Sequence, residues 1–195
     1  MAHNNPHEQY FSYLLKRSLI GSLYRQYWLY PRLSRHLKGK TLDIGCGIGD
    51  MLAFRPDTIG VDVNPLNVDY CNSLGLHAVT MQPDIIPFED NSFESILLDN
   101  VLEHIDNPKP LMAEIQRVLK PHGILVVGVP GLKGMASDLD HKKFYSESAL
   151  NALASGESFS VQRFFYTPIV KSEFLSKFLR QYCIYSVWAS NQGRS

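Results

Sequence analysis

The stretch "TLDIGCGIGD", residues 41–50, sets an apolar run carrying Asp43 directly before three alternate glycines, Gly45, Gly47 and Gly49. A turn of this kind, between a strand and a helix, brings backbone N–H groups up to a ligand, because glycine tolerates positive φ and close approach. Three ligand classes use such turns. The phosphate loop of nucleotide hydrolases needs GxxxxGK[ST], and no lysine and hydroxyl stand at that spacing here. The dinucleotide fingerprint GxGxxG puts its third glycine one residue later than Gly49. The next apolar run ends in Asp62, 19 residues after Asp43, where a carboxylate can accept hydrogen bonds from ribose hydroxyls. Together these features point to a nucleoside ligand, not necessarily a dinucleotide.

Outward from the turn, short apolar runs alternate with helical stretches, the signature of a parallel sheet with helices on both faces. The runs are 41–45, 58–63, 77–81, 92–100 and 123–130, and helices are expected from Asp50, over 65–74 behind an Asn64 cap, and over 108–119. Beyond Pro130 come a polar loop, a helix from about Ser146 to Ala154, and two further apolar runs, 159–167 and 182–190, separated by a helical stretch. These two runs make a strand pair at one sheet edge, where a short link allows an antiparallel strand. Before the turn, Phe11, Leu15, Leu19, Leu23 and Tyr27 recur every four residues, which predicts a helix from His7 to about Leu37 with these side chains on its apolar face and an interruption by Pro31 near Tyr30. Residues 1–37 thus form an N-terminal helical segment that packs on the domain or lids the site, and 38–195 the ligand-binding domain.

With 195 residues and 45% hydrophobic side chains the chain can bury one core of ordinary size. Lys plus Arg balances Asp plus Glu, 19 against 19, so no overall positive field favours a nucleic acid. No apolar run reaches 18 residues and the first residues lack a signal-peptide pattern, so the expectation is a cytoplasmic protein without a transmembrane segment. Cys46, Cys71 and Cys183 form no CxxC pair, which suggests neither a zinc site nor a disulfide framework.

The ordered motifs "LDIGCGIGD", "GVDVNP" and "IPFEDNSFESILLDNVLEHIDNPKPLMAEIQRVLKPHGILVVGVP" resemble the class I S-adenosylmethionine-dependent methyltransferases, in the branch related to menaquinone and ubiquinone methyltransferases. The resemblance runs from about Thr41 to Pro130 and more weakly through "DHKKFYSESALNAL". It implies a Rossmann-like three-layer αβα sandwich: a mostly parallel seven-stranded sheet, an antiparallel edge strand, and added N-terminal helices. It also implies S-adenosylmethionine as cofactor and S-adenosylhomocysteine as product. In that family Asp43 would hold the methionine amino group. Gly45, Cys46 and Gly47 would pass beneath the methionine and ribose, with Gly49 completing the turn. Asp62 would take the ribose hydroxyls and Val63 would pack on adenine. The adenine amino group would fall to Gln82 or, two residues on, to Asp84, which is favoured. Asn100 and Val101 would line the methionine side, and the absence there of an NPPY-like motif speaks against methylation of base amino groups.

Methyl transfer from a sulfonium is an in-line displacement, so positioning carries much of the rate, roughly 7–11 kcal/mol in favourable cases; neither a metal nor a covalent intermediate is required. A hydroxyl acceptor gains further from a general base, on the order of 10²–10⁴-fold. His104 and His141 are the candidates, with Asp138 or Asp140 to orient His141 and Tyr145 as a hydroxyl donor or aromatic wall; each histidine equally suits a structural place. The acceptor is expected to be a small molecule, apolar or sugar-linked, and the protein a monomer or homodimer. Two alternatives are a cofactor-binding protein without turnover and an oxidoreductase with an atypical nicotinamide loop.

Overall fold

The computed structural model describes residues 5–16 and 18–192; the outermost ends of the two expected segments, at residues 1 and 195, lie outside them. Seven strands form one sheet in the order β3-β2-β1-β4-β5-β7-β6. They are β1 (Thr41–Ile44), β2 (Thr58–Asp62), β3 (Ala78–Thr80), β4 (Phe93–Asp99), β5 (Leu119–Pro130), β6 (Phe159–Thr167) and β7 (Cys183–Ser190). β1 to β5 pair in parallel, while β7 runs antiparallel to both β5 and β6. The reversed strand therefore lies one place in from the edge, with β6 outside it. The expected mostly parallel seven-stranded αβα sandwich is the observed fold.

The helices are α1 (Pro6–Leu15), α2 (Leu19–Tyr24), α3 (Tyr30–Ser34), α4 (Asp50–Phe54), α5 (Pro65–Ser73), α6 (Lys109–Val118), α7 (Leu132–Met135), α8 (Glu147–Gly156) and α9 (Glu173–Phe178). Alternation along the central strands splits the core. Ile96 and Leu98 of β4 face one side with Leu111, Met112 and Ile115 of α6; Leu97 faces the other with Leu33 of α3 and Tyr185 of β7. This is the period of two that lets one buried strand serve two layers.

The N-terminal segment differs from its expected form. Ser18 caps a new helix by accepting from the Gly21 N–H at 3.1 Å, so α1 and α2 are separate. Pro31 does not end the helix. A π turn over Arg25–Leu29 leads into α3, with Pro31 in its first turn, where the missing N–H costs nothing. These two breaks change the phase of the apolar face. Leu29, Tyr30, Leu33 and Leu37 are buried, whereas Leu19, Leu23 and Tyr27, expected on the core side, are 83%, 57% and 74% exposed.

Candidate cofactor and acceptor site

The glycine turn sits at the carboxyl end of β1, beside those of β2 and β4, where open α/β sheets bind ligands. Gly45, Gly47 and Gly49 have φ of +74°, +54° and +81°, values an L side chain adopts only at a cost. The turn's donors are largely spent inside the protein. Gly45 and Cys46 donate to the Val61 carbonyl at 2.8 and 3.1 Å, Gly49 to the Cys46 carbonyl at 3.0 Å, and Gly47 to Asp62 Oδ2 at 2.9 Å. A nest so committed is not a phosphate cradle; it is a rigid ledge.

Two cavities meet at Gly45. The larger, about 470 Å³, is lined by Asp62 and Val63 from the end of β2, by Asp84, and by Val101 and His104 after β4. The smaller, about 120 Å³, is lined by Asp43, Cys46, Gly47, Asp99 and Asn100, and on its outer side by Tyr10, Arg25 and Tyr30 from the N-terminal helices. Asp62 is held from two sides: Oδ1 accepts from the Asn64 N–H at 2.8 Å while Oδ2 accepts from Gly47, and each oxygen keeps a further lone pair. Asn100 holds a left-handed φ of +55° and donates its backbone N–H to the Gly128 carbonyl at 2.9 Å, which turns the chain away from β4 toward the cavity.

Electrostatics divide the site. Asp43 is 6% exposed, and burial, with the Asp99 and Asp62 carboxylates as the next causes, pushes its carboxyl well above the ordinary range. A cation placed there would reverse that shift. Cys46 is pushed up by its contact with Cys71 and by burial, so it lines the ledge as a neutral thiol.

The remaining candidates fall in three places. Gln82 lies outside both cavities and pairs with Ile85, whereas Asp84, at φ +61°, lines the larger one. Gly49 packs against Cys71 and Leu76 behind the turn. Beyond the larger cavity, His104 and His141 meet with ring centroids 4.7 Å apart. His141 Nδ1 is 3.1 Å from the Met135 carbonyl, and its Nε2 is 3.9 Å from both Glu103 Oε1 and Asp138 Oδ2. Burial lowers the His104 pKa, and His141 adds to the effect against Asp138 and the Asp140 carbonyl. Tyr145 is buried, 2% exposed, with no partner for its hydroxyl among the described residues and its pKa raised by burial and by Glu103. It belongs to the main core cluster.

Sequence reasoning passed over Arg25, Tyr10 and Glu103. For the first two the chain offers no local signal, since only the folded path of α1 and the π turn carries them to the smaller cavity. Glu103 stood beside His104 in "VLEHI" and was readable as a polar residue in an apolar setting.

Comparison with known proteins follows the same outline. Residues 42–127 match the family described as "Methyltransferase domain". Over that stretch the chain is similar to methyltransferase domains. A run of 99 residues is 35% identical to the demethylmenaquinone methyltransferase of Renibacterium salmoninarum, covering 45% of this chain and 40% of that one. A stretch of 116 residues is 34% identical to the sterol 4-C-methyltransferase strm-1 of Caenorhabditis elegans, covering 53% and 34%. The chain thus spans under half the length of either relative. Over its whole fold the chain superposes on a SAM-dependent methyltransferase from Thermotoga maritima with a TM-score of 0.74 at 17% identity, covering 92% of this chain and 96% of that one. No helix among the described residues is long and apolar enough to cross a membrane.

Proposed function

We propose that the protein is an S-adenosylmethionine-dependent methyltransferase acting on a small molecule, with the cofactor lying across the two cavities that meet at Gly45. The observation that carries this reading is the Asp43 carboxyl on the wall of the smaller cavity, its pKa raised by burial and then by the Asp99 and Asp62 carboxylates. A pocket of carboxylates selects a cation and rejects a pyrophosphate, which favours this cofactor over a nicotinamide dinucleotide. The larger cavity has room for a nucleoside, with Asp62 accepting from ribose hydroxyls, Val63 against the base and Asp84 near its amino edge. In the smaller one Asp43 faces the amino group of the methionine part and Arg25 its carboxylate.

When bound, the cofactor supplies an electrophilic methyl group. The chain's own residues position and shield. Tyr10 and Tyr30 wall the methionine end from the N-terminal side, consistent with residues 1–37 acting as a lid. His104 lines the larger cavity, and burial lowers its pKa.

The acceptor is read as apolar or lipid-linked. Leu19, Ile20, Leu23 and Tyr27 are exposed on one side of the N-terminal segment, and the sequence from Lys16 to Lys40 contains Lys and Arg but no Asp or Glu. Exposed apolar side chains in a segment that carries cations and no acids of its own suit an anionic lipid surface.

Titration calorimetry with S-adenosylhomocysteine tests the cofactor assignment. Wild-type protein should bind it and Asp62→Ala should lose at least tenfold in affinity, while NADH should not compete; equal affinity in the variant, or tighter binding of NADH, rules the assignment out.

A further inference from the structure

Glu103 is the most anomalous residue of the fold. It is fully buried, and both of its carboxylate oxygens lack a hydrogen-bond partner among the described residues. An unpartnered buried carboxylate is costly and rare, and the hydroxyl of Tyr145 beside it is unpartnered too. The segment around them is nonetheless well fixed. The Lys142 and Lys143 N–H groups donate to the Glu103 carbonyl at 2.7 and 3.2 Å, which ties the loop carrying His141 to the turn carrying Glu103 and His104.

The two imidazoles stand as ligands stand. The Met135 carbonyl can only accept, so His141 Nδ1 carries the proton and Nε2 presents its lone pair toward Glu103, 3.9 Å away. A backbone carbonyl that fixes the tautomer from behind is the usual support of a metal-bound histidine. The Asp140 backbone adjoins the His104 ring and acts against the lowering of its pKa. One donor atom from each of Glu103, His104 and His141 lies within 4.8 Å of the other two, so a small closing movement brings all three to bonding distance of one ion at ~2.1 Å.

We propose that Glu103, His104 and His141 form a site for one divalent transition-metal cation of the zinc type, set at the edge of the larger cavity. Two imidazoles and one carboxylate suit zinc, cobalt or ferrous iron better than magnesium or calcium, which prefer all-oxygen sets. Three protein ligands leave a coordination position open, as catalytic sites do. His104 belongs both to this group and to the cavity lining, so the open position adjoins that cavity. The site stands independently of the methyltransferase reading above.

The test uses the full chain, free of any tag and stripped with a chelator. Titration with ZnCl2 by calorimetry, and with CoCl2 by visible ligand-field absorption, should give one ion per chain. Removing a ligand should cost more than the roughly 10–100-fold lost with outer partners, so affinity should fall about 100-fold or more in Glu103→Gln, His104→Ala and His141→Ala. MgCl2 and CaCl2 should not compete. Circular dichroism and retained S-adenosylhomocysteine binding in Glu103→Gln exclude global unfolding as the cause. No uptake of zinc or cobalt, uptake unchanged in all three variants, or preferential uptake of magnesium each overturns the proposal. Zinc uptake without S-adenosylhomocysteine binding leaves the metal site standing and removes the methyltransferase reading, and the reverse result separates them the other way.

Discussion

Replacing Gly45 by alanine tests the turn at the place where the two cavities meet. Two costs arise. The first is conformational, because φ at Gly45 is +74° and a left-handed L residue costs about 1–2 kcal/mol. The second is steric: a Cβ there would stand 2.6 Å from Val101 Cγ2, about 1 Å inside ordinary contact, and overpacking of this kind costs about 1–3 kcal/mol. Gly75 offers the control, since its φ is also +74° and nothing lies within 4 Å of an added Cβ. Urea unfolding should therefore show about 2–5 kcal/mol lost in Gly45→Ala and only about 1–2 in Gly75→Ala. In a Val101→Ala background the Gly45→Ala cost should drop to that of Gly75→Ala, a coupling of about 1–3 kcal/mol. If Gly45→Ala costs no more than Gly75→Ala, or if Val101→Ala changes nothing, the close approach described for the turn is wrong.

Three other outcomes are expected. Because the Asp43 carboxyl is raised in the free protein, binding a ligand ammonium beside it should release protons. The enthalpy of S-adenosylhomocysteine binding should then differ between Tris and phosphate buffers, and equal enthalpies, or a difference that survives in Asp43→Asn, would count against the amino-group assignment. In the metal-free protein burial raises Glu103 from 4.5 to about 8. Its contribution to stability is complete below the unfolded value and is lost as pH rises through the folded one, at 1.36 kcal/mol per unit or about 5 kcal/mol in all. Glu103→Gln in EDTA should match wild type near pH 4.5 and exceed it by about 3 kcal/mol at pH 7; parallel pH–stability curves refute the burial argument. Finally, co-sedimentation with vesicles containing phosphatidylserine should fall at least tenfold when Leu19, Ile20 and Leu23 are changed together to Ser, and a dimer that the same changes dissolve would replace the lipid surface by a second copy.

The central sheet was legible because its signals are local. Each apolar run from Thr41 to Pro130 is bounded by turn residues, and the glycines and Asp62 lie at strand ends whose spacing is set by one helix crossover. The N-terminal segment was not, because periodicity assumes one unbroken helix. A serine cap at Ser18 and a π turn over Arg25–Leu29 shift the phase, sending Leu19, Leu23 and Tyr27 outward and Arg25 toward the cavity. The meeting of Glu103, His104 and His141 depends on a loop returning across 37 residues of chain, joined by the Lys142 to Glu103 backbone bond. Spacing rules built on neighbouring ligands do not see such a set.

The most direct test of the account is a crystal structure of the protein with S-adenosylhomocysteine. The account predicts adenosine in the cavity of about 470 Å³ with its ribose hydroxyls on Asp62, and the amino acid part beyond Gly45 with its amino group facing Asp43. A ligand bound elsewhere, or a ribose turned away from Asp62, would contradict it.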